Sequence, residues 1–253
     1  MFLDLETSAA LAYLFGRFKV NIGQANIKEE GGKLLVVGFA INDNPVSALY
    51  VDSKAVNDDK HICEALHRLF EHVDIVVAHN GRNFDIKMLN ARLVFNGFPP
   101  LSGVKVIDTL EMAKSKFRFP SNRLDSLGEY LGVGRKIDTG GIELWKKVQE
   151  NDAEALTDMV NYCIQDVELL RLVFYKLMSY GGSASVNWAL YYDDNKPRCI
   201  YCGSEDVAPT GKFVYAAVSK FNEYRCGCCS ATMRDRSNKN SKQKAQSLFT
   251  RII

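Results

Sequence analysis

The order of apolar segments along the chain constrains its fold more than any other feature. Apolar runs bounded by turn residues predict strands over 2–7, 33–42, 46–52, 74–79 and 104–109. Helical periodicity and start signals predict helices over 57–71, 83–97, 110–117, 123–132, 142–151 and about 152–179. Strands first, then strands alternating with helices, predict an α/β fold with a mixed central sheet.

Length and composition bear on the number of domains. With 253 residues, of which 47% are hydrophobic and 25% charged, the chain suits one globular domain plus a small module. Residues 7–32 show no clear periodicity and are expected to be irregular. We predict an α/β domain over 1–182, a linker over 183–198, a cysteine-bearing module over 199–236 and a mobile basic tail over 237–253.

Charge and hydropathy narrow the classes of function. No apolar stretch approaches the ~20 residues that span a bilayer, and the N-terminus lacks the basic and hydrophobic regions of a signal peptide. We therefore expect a cytoplasmic protein with no membrane contact. Residues 191–253 hold 11 Lys and Arg against 6 Asp and Glu, whereas the rest of the chain is mildly acidic. This balance suits either a nucleic-acid-binding end or a solvated tail.

Two carboxylates interrupt the first apolar strand. Side chains at i and i+2 of a strand point to the same face, with Cα atoms roughly 7 Å apart, so Asp4 and Glu6 converge on one side. Phe2, Leu3 and Leu5 provide the apolar surroundings of a buried sheet. Buried like charges are costly unless a cation neutralises them or one is protonated. The pair therefore indicates either a divalent-metal site or a solvated strand end.

Two further acids lie beside elements that we predict to be buried. Asp85 falls in the first turn of a helix, after a buried strand and the turn at Asn80, which suits either a functional carboxylate or an ordinary helix start. Tyr162 and Asp166 stand one turn apart on the long helix, at the edge of an apolar face. An arginine of another helix would satisfy Asp166. Three separate acidic sites, each beside a buried element, favour a shared metal site instead.

Five of the seven cysteines are concentrated in the last quarter of the chain. Cys199 and Cys202 form one CxxC pair, and Cys226 and Cys229 form another after 23 intervening residues. Four thiolates around one Zn²⁺ are a common structural site, so this spacing predicts a zinc ribbon whose role is folding. Cys228 is left over and is an alternative ligand to Cys229.

The acidic motifs also carry a family resemblance. The chain resembles 3′–5′ exonucleases of the ribonuclease-H-like superfamily in three motifs, which appear in order as FLDLET, HNGRNFD and YCIQD. A tyrosine four residues before the last aspartate is typical of the Tyr subgroup of the DEDD group. More closely, the chain resembles stand-alone, often bacteriophage-encoded relatives of the proofreading domain of family B DNA polymerases. The closer likeness lies in AYLFGRFKVNIGQANI, FRFPSNRLDSLGEYLGVGRKIDTGG and the cysteine-bearing end.

The resemblance implies a fold, a reaction and the residues that perform it. The fold would be a ribonuclease-H-like three-layer fold with a small C-terminal zinc ribbon. The reaction would be hydrolysis of phosphodiester bonds at DNA 3′ ends with two Mg²⁺ or Mn²⁺ ions. Asp4, Glu6 and Asp166 would hold the ion that activates water. Asp4 would also bridge to a second ion supported by Asp85, and Tyr162 would orient the water.

Candidate substrate contacts flank these residues. The predicted nucleic-acid contacts are Leu5, Thr7, Asn80, Phe84, Lys114, Lys116, Arg118 and Arg123. The resemblance suggests that Leu5, Thr7 and Phe84 hold the terminal base and sugar. The four cations lie in KSKFRFPSNR, where they alternate with Phe117 and Phe119. Such a segment suits single-stranded nucleic acid, or else a solvated loop whose two phenylalanines pack on the core.

Three functions are compatible with these features. A DNA exonuclease is expected because the closer resemblance is to proofreading domains. It would act on single-stranded or frayed 3′ ends, with a DNA polymerase or another replication protein as partner. Its location would be the host cytoplasm if the protein is phage-encoded. A 3′–5′ exoribonuclease would use the same acids. A non-catalytic replisome adaptor would bind nucleic acid or a replication partner through the ribbon, with Lys212, Lys220 and Arg225, although the ribbon is equally explained as purely structural.

One departure from the family concerns the N-terminus. The family's first strand has several residues before its first aspartate, whereas only three residues precede Asp4 here. We therefore expect either a short strand that frays at its start or a true start upstream of Met1.

Overall fold

The computed structural model of the protein describes residues 1–16, 18, 20–101, 103–181 and 186–250. Contacts divide the chain into two compact units, Met1–Phe174 and Tyr175–Ile253. The predicted domain boundary falls on residues 182–185, which lie outside the described residues, so the predicted domain limits stay predictions. Within the described ranges, no helix is long and apolar enough to cross a membrane.

The first unit is built on a five-stranded mixed sheet, as the sequence predicts. Its strands are β1 Phe2–Thr7, β4 Leu34–Ala40, β5 Ser47–Tyr50, β6 Ile75–Ala78 and β7 Lys105–Asp108. Their order is β5-β4-β1-β6-β7, in which β4 runs antiparallel to β1 and β5, whereas β1, β6 and β7 run parallel. The carboxyl ends of the three parallel strands therefore meet at one edge of the sheet, where side chains from separate strands converge.

Strand β1 lies in the middle of this sheet. The Val77 N–H donates a hydrogen bond of 2.8 Å to the Met1 carbonyl, and Phe2 pairs with Val77 of β6. The expected fraying at the start of β1 is therefore not observed, because hydrogen bonds to β6 hold the backbone just before Asp4.

The segment over 7–32 is less irregular than its sequence predicts. Strand β2 Leu11–Ala12 pairs antiparallel with β3 Ile27–Glu29, and a 3-10 helix, Gln24–Asn26, precedes β3. Strands of two and three residues are too short to show an alternating pattern, which explains why periodicity does not reveal them.

The described part of the first unit contains six α-helices, and each of their bounds lies within three residues of the prediction. They are α1 Lys60–Phe70, α2 Asp85–Phe95, α3 Thr109–Lys116, α4 Leu124–Tyr130, α5 Ile142–Gln149 and α6 Ala153–Leu177. The Asp152 carboxylate accepts hydrogen bonds from Glu154 N–H and Ala155 N–H, which caps the start of α6. Gly97, with φ of 78°, follows α2 as predicted, because a left-handed residue ends a helix at little cost only if it is glycine.

The core of the first unit combines apolar side chains of the sheet with those of α1, α2, α5 and α6. In β4, the side chains of Leu34, Leu35, Val36 and Val37 are completely buried. Along α6, apolar side chains spaced three or four residues apart face the core, namely Met159, Cys163, Val167, Leu170 and Val173. This spacing places the remaining edge of the same helix, with Tyr162 and Asp166, beside the sheet.

The second unit contains a three-stranded antiparallel sheet. Strands β8 Val207–Ala216, β9 Ser219–Cys226 and β10 Thr232–Arg234 are arranged in the order β10-β9-β8. The segment after this sheet has more local structure than the sequence predicts. It contains the short helix α7 Lys242–Gln246, and Lys239 N–H donates a hydrogen bond of 2.7 Å to the Lys220 carbonyl.

Candidate active site and cysteine centre

The centre of the sheet holds the first two predicted acids. Asp4 and Glu6 lie on one face of β1, and a register shift between Glu6 and Thr7 marks an irregularity at the end of the strand. Asp4 pairs with Gly38 of β4, where a Cβ atom would lie only 2.9 Å from Cys163 Sγ of α6. A glycine opposite Asp4 therefore allows α6 to pack closely against the sheet beside the acid.

Asp85 is the first residue of α2 and contacts β1 through the backbone. The turn that precedes it places Asn80 in the left-handed region, with φ of 65°. The Asp85 carboxylate accepts hydrogen bonds from its own N–H and from Leu5 N–H, and Leu5 lies between Asp4 and Glu6. The second predicted acidic site is thereby joined to the first.

The third acidic site contains a lysine that sequence reasoning missed. The Lys136 ammonium donates hydrogen bonds to Asp166 Oδ2 at 2.5 Å and to Tyr162 Oη at 3.1 Å. The Tyr162 hydroxyl also donates to Asp166. Lys136 is held in turn by its own N–H, which donates to Asp125 Oδ1 at 2.9 Å. Lys136 precedes Asp166 by 30 residues in a Gly-rich loop, so no spacing pattern connects the two; the only signal is that an acidic cluster needs a cation.

The four acids form one electrostatic group. The pKa of Asp4 is raised well above its ordinary value, first by burial and then by repulsion from Asp85, Glu6 and Asp166. Burial likewise raises the pKa of Glu6 to about 8 and that of Asp85 to about 7. The pKa of Asp166 is also raised by burial, although its contacts with Lys136 oppose the shift. Ionising all four carboxylates therefore requires more positive charge than Lys136 supplies.

The donor set fits divalent cations that prefer oxygen ligands. Among the described residues, Asp166 Oδ1 is buried and has no hydrogen-bond partner, which is costly unless a cation binds there. Ligand atoms of Asp4, Glu6 and Cys163 all lie within 4.8 Å of one another. Clustered carboxylates with raised pKa values and an unpartnered oxygen suit Mg²⁺ or Mn²⁺.

A second residue that sequence reasoning missed supports the turn before Asp85. The Asp108 carboxylate, which is buried at the end of β7, accepts hydrogen bonds from Asn80 N–H at 2.9 Å and Arg82 N–H at 3.2 Å. It also accepts from two N–H groups at the start of α3. Burial lowers the pKa of the nearby His79, whose ring contacts Thr109 Oγ1 at 2.9 Å. Asp108 thus ties two strand ends to one turn, a role that a lone strand-end aspartate does not reveal from sequence.

The structure brings together some of the predicted substrate contacts and not others. A cleft of about 620 Å³ is lined by His79, Asn80, Leu110, Asn122, Arg123, Leu124, Asp125 and Lys136. Asn80 and Arg123 therefore share one cleft with Lys136. Phe84 is 41% exposed, whereas Leu5 is buried in the core, so the side chain of Leu5 has little surface to offer a substrate.

The remaining predicted cations lie on a different surface. Lys114, Lys116 and Arg118 are exposed at and after the end of α3, and none of them lines the cleft. Phe117 and Phe119 stack on each other with ring centroids 4.8 Å apart. These phenylalanines are half-buried, which favours partial packing over full presentation to a ligand.

The cysteine centre lies in the second unit. Sγ atoms of Cys199 and Cys229 are 3.6 Å apart, as are those of Cys202 and Cys226, and all four ligand atoms lie within 4.8 Å of one another. Tetrahedral Zn–S bonds of about 2.3 Å separate the sulfurs by about 3.8 Å, so this group fits a structural Zn²⁺. Cys228 is exposed and lies outside the group, so Cys229 is the ligand that the geometry favours.

Known proteins resemble the chain in sequence and in fold. The PolC-type DNA polymerase III of Ureaplasma parvum is 37% identical to it over 89 residues, which are 34% of this chain and 6% of the relative. The family B DNA polymerase of the archaeon Pyrobaculum calidifontis has a similar structure, with a TM-score of 0.51 and 13% identity. That similarity covers 85% of this chain and 32% of the polymerase, so the chain spans only part of either protein.

A family model gives the broadest match. It covers residues 1–178, which include β1, α2 and α6 with all four acids, Tyr162 and Lys136. The chain belongs to the RNase_H superfamily.

Proposed function

We propose that this protein is a metal-dependent 3′–5′ exonuclease that hydrolyses phosphodiester bonds at DNA 3′ ends. One observation carries the proposal: four carboxylates from β1, α2 and α6 interact with one another, three of them are buried, and Asp166 Oδ1 has no hydrogen-bond partner among the described residues. A protein that only binds the phosphates of nucleic acid gains nothing from such a cluster, because the carboxylates repel its ligand. This argues against the replisome adaptor.

The carboxylates would serve as ligands for two Mg²⁺ or Mn²⁺ ions. Asp4, Glu6 and Asp166 would hold one ion, and Asp4 with Asp85 would hold the other. When bound, such a pair supplies an activated water and stabilises the charge on the attacking and leaving oxygens of a phosphodiester. The chain contributes the fixed orientation of the four acids, through Leu5 N–H on Asp85 and Lys136 on Asp166.

Tyr162 would orient the attacking water without taking its proton. Burial raises the pKa of the Tyr162 phenol above its ordinary value, so the hydroxyl stays protonated at neutral pH. It can then offer a hydrogen bond but not act as a general base. Lys136 would fix the positions of Tyr162 Oη and Asp166 Oδ2, since it donates to both. Burial alone would lower the pKa of Lys136, but its contacts with Asp166 raise that pKa, and the ammonium stays charged.

DNA is the substrate that we favour. Both matched relatives described above are named as DNA polymerases, and the chain aligns with only a part of each. A stand-alone exonuclease of this kind would remove nucleotides from single-stranded or frayed 3′ ends during replication or repair, with a DNA polymerase or another replication protein as partner. The rival substrate is RNA, which the same acids can hydrolyse.

The direct test is degradation of a 5′-labelled single-stranded DNA with Mg²⁺ or Mn²⁺, beside the same reaction in EDTA. We expect a ladder that shortens from the 3′ end only when metal is present and that is absent for Asp166→Ala. Asp158→Ala is the matched control, because Asp158 is an exposed acid on the same helix. A matched RNA oligonucleotide distinguishes the two nuclease functions. Failure to cleave either polymer would leave the adaptor function.

We also propose that the four cysteines bind one structural Zn²⁺. Ion binding by such sites contributes on the order of 10 kcal/mol to folding. Cys199→Ser should therefore lose zinc and the fold of the second unit, whereas Cys228→Ser should keep both. Zinc content by elemental analysis and amide NMR dispersion would measure these effects. Equal zinc content in Cys199→Ser and wild type would contradict the proposed ligand set.

A further inference from the structure

The segment between β1 and β4 begins beside the candidate active site, and its two ends are hydrogen-bonded to each other. Ser8 N–H donates to the Lys33 carbonyl at 2.8 Å, and Gly32 N–H donates to the Ser8 carbonyl at 2.9 Å. A Cβ on Gly31 would lie 2.7 Å from the Ser8 carbonyl oxygen, so the two ends of the segment are in close contact. We call residues 9–31 the flap; Arg17 and Lys19 lie outside its described part.

The base of the flap continues from β1, which carries Asp4 and Glu6, and contacts α5 and the acid-bearing helix α2. Gln149, at the end of α5, accepts a hydrogen bond from Ala9 N–H at 2.9 Å and donates to the Ala9 carbonyl at 3.0 Å. On the other side, a Cβ at Gly32 would contact the side chain of Met88, one turn along α2 from Asp85. Ala9 is only three residues beyond Glu6, so the flap begins within about 10 Å of the carboxylate-bearing strand.

The flap is stiffened along its stem and open at its tip. Strands β2 and β3 pair at Leu11 and Glu29, and Tyr13 N–H donates to the Asn26 carbonyl at 2.8 Å. The Asn26 side chain donates back to the Tyr13 carbonyl at 3.2 Å. Beyond this pair, the described residues within 14–25 form the tip of the flap.

Aromatic side chains at the tip and stem face solvent. The side chain of Phe15 is fully exposed, that of Phe18 is 90% exposed and that of Tyr13 is 67% exposed. Leu14 and Ile22 add aliphatic surface to the same segment. Contiguous exposed apolar side chains mark binding sites more often than structural ones, because a folded monomer gains nothing by leaving them in water.

The charges of this segment select an anionic ligand. Residues 11–28 contain no acid, and the two acids of the flap, Glu29 and Glu30, lie among its last three residues. The Lys28 ammonium lies 5.9 Å from the centre of the Tyr13 ring, so a cation stands beside an exposed aromatic face. Aromatic rings next to cations, without acids, are the features that bind bases and phosphates of single strands. An apolar protein partner would need no such charge bias.

We propose that the flap binds the single-stranded part of the substrate that leads to the carboxylate site, with Phe15 and Phe18 as stacking platforms for bases. This inference rests on the proposed nuclease function for its ligand. Stacking on an aromatic face tolerates any base, so the contact would hold the strand without sequence preference. Its attachment beside β1 and α2 keeps the platform at the mouth of the site while the strand shortens.

The test separates binding from cleavage. Binding of a 5′-labelled 20-nucleotide oligothymidylate is measured by fluorescence anisotropy with Mg²⁺, using the full chain in an Asp166→Ala background. We expect the double substitution Phe15→Ala and Phe18→Ala to raise the Kd by at least about fivefold for each base-stacking contact that is lost. Phe95→Ala is the matched control, because Phe95 is an exposed aromatic ten residues along α2 from Asp85, or about 15 Å away.

Activity provides the second readout. In the otherwise wild-type chain, the double substitution should lower kcat/KM on the 20-nucleotide strand and leave hydrolysis of a dinucleotide unchanged, because under this proposal Phe15 and Phe18 stack on bases further from the scissile bond than a dinucleotide extends. An unchanged Kd for the long strand would overturn the proposal. The proposal would also be overturned if light scattering showed that the double substitution removes self-association of the chain while DNA binding is kept. Flap-dependent binding without any cleavage by the wild-type chain would refute the nuclease function alone.

Discussion

Two of the places where the unit Met1–Phe174 buries carboxylates, the Asp59 site and the candidate active site, differ in what surrounds the acids. Asp59, at the start of α1, is 1% exposed. Its two oxygens accept hydrogen bonds from Arg92 at 2.6 and 2.8 Å, from Asn96 at 3.0 Å and from Leu34 N–H at 2.9 Å. Burial alone would raise the pKa of Asp59, but these bonds outweigh it and hold that pKa below its ordinary value.

The acids of the candidate active site show the opposite balance. Burial raises the pKa values of Asp4, Glu6, Asp85 and Asp166, and repulsion from other acids of the cluster raises those of Asp4 and Glu6 further. Among the described residues, only Lys136 counters this with a direct ion pair. Asp59, Glu6, Asp85 and Asp166 are all buried and Asp4 is partly buried, so burial does not distinguish a structural acid from a ligand. Partnership does: a fully bonded carboxylate stabilises the fold, whereas an under-bonded cluster costs stability and is retained for its chemistry.

The sharpest way to break this comparison is to neutralise an acid of the cluster. Asp166→Asn should lower kcat/KM by more than about 100-fold, since even outer-shell partners of a metal cost 10- to 100-fold. The free energy of unfolding of this variant should not fall, because the raised pKa of Asp166 means that the fold already disfavours the ionised carboxylate. Exonuclease assays and urea unfolding in EDTA measure the two effects. A large loss of stability without loss of activity would reverse the assignment.

The partnered acid should behave in the opposite way. Asp59→Asn leaves Arg92 without a full partner, and breaking a buried ion pair costs about 3 kcal/mol or more in the free energy of unfolding. Activity per folded molecule should remain at the wild-type level. Asp58→Asn serves as the control, because Asp58 is an exposed acid at the adjacent position. If Asp59→Asn had a lower kcat than wild type at temperatures below the melting temperature of the variant, then Asp59 would belong to the site after all.

Local rules single out the four acids as candidates in the sequence, but those rules leave structural alternatives open, and the resemblance of three ordered motifs is what assigns the acids to one site. Asp4 and Glu6 follow the two-residue repeat of a strand, Asp85 marks a helix start, and Tyr162 and Asp166 follow the four-residue repeat of a helix. Periodicity also locates the main strands and helices of the nuclease-like unit. These signals depend only on near neighbours, so they persist in a single sequence.

The residues that sequence reasoning missed act over longer separations. Lys136 reaches Asp166 across 30 residues, and Asp108 holds the Asn80 turn across 28 residues. A single sequence contains no periodic signal for such contacts, because they depend on which strand ends the fold brings together. The same reason applies to the flap, whose strands β2 and β3 are separated by 14 residues that have no repeat.

Tyr162 allows the cluster to be examined without changing its charge. Tyr162→Phe removes a hydroxyl that contacts both Lys136 and Asp166, so it should lower kcat about 10- to 100-fold while the metal concentration for half-maximal activity changes little. Tyr130→Phe is the control, because Tyr130 is 63% exposed on α4. A shift in metal dependence as large as the loss of rate would indicate that Tyr162 supports the ligands instead of the water.

The smallest expected effect comes from pH and concerns Asp59 alone. Because the folded pKa of Asp59 lies below its unfolded value of about 3.9, its contribution to stability is complete above that value and disappears as pH falls through the folded pKa. Each unit of that difference is worth about 1.4 kcal/mol. The gap in unfolding free energy between wild type and Asp59→Asn should therefore be constant from pH 5 to 7 and shrink below about pH 4. Protonation makes the wild-type side chain a neutral group of the same shape as asparagine, so the two proteins should converge in acid. A gap that widened on acidification would mean that Asp59 is not ionised in the folded protein, and the contrast with the under-bonded cluster would no longer hold.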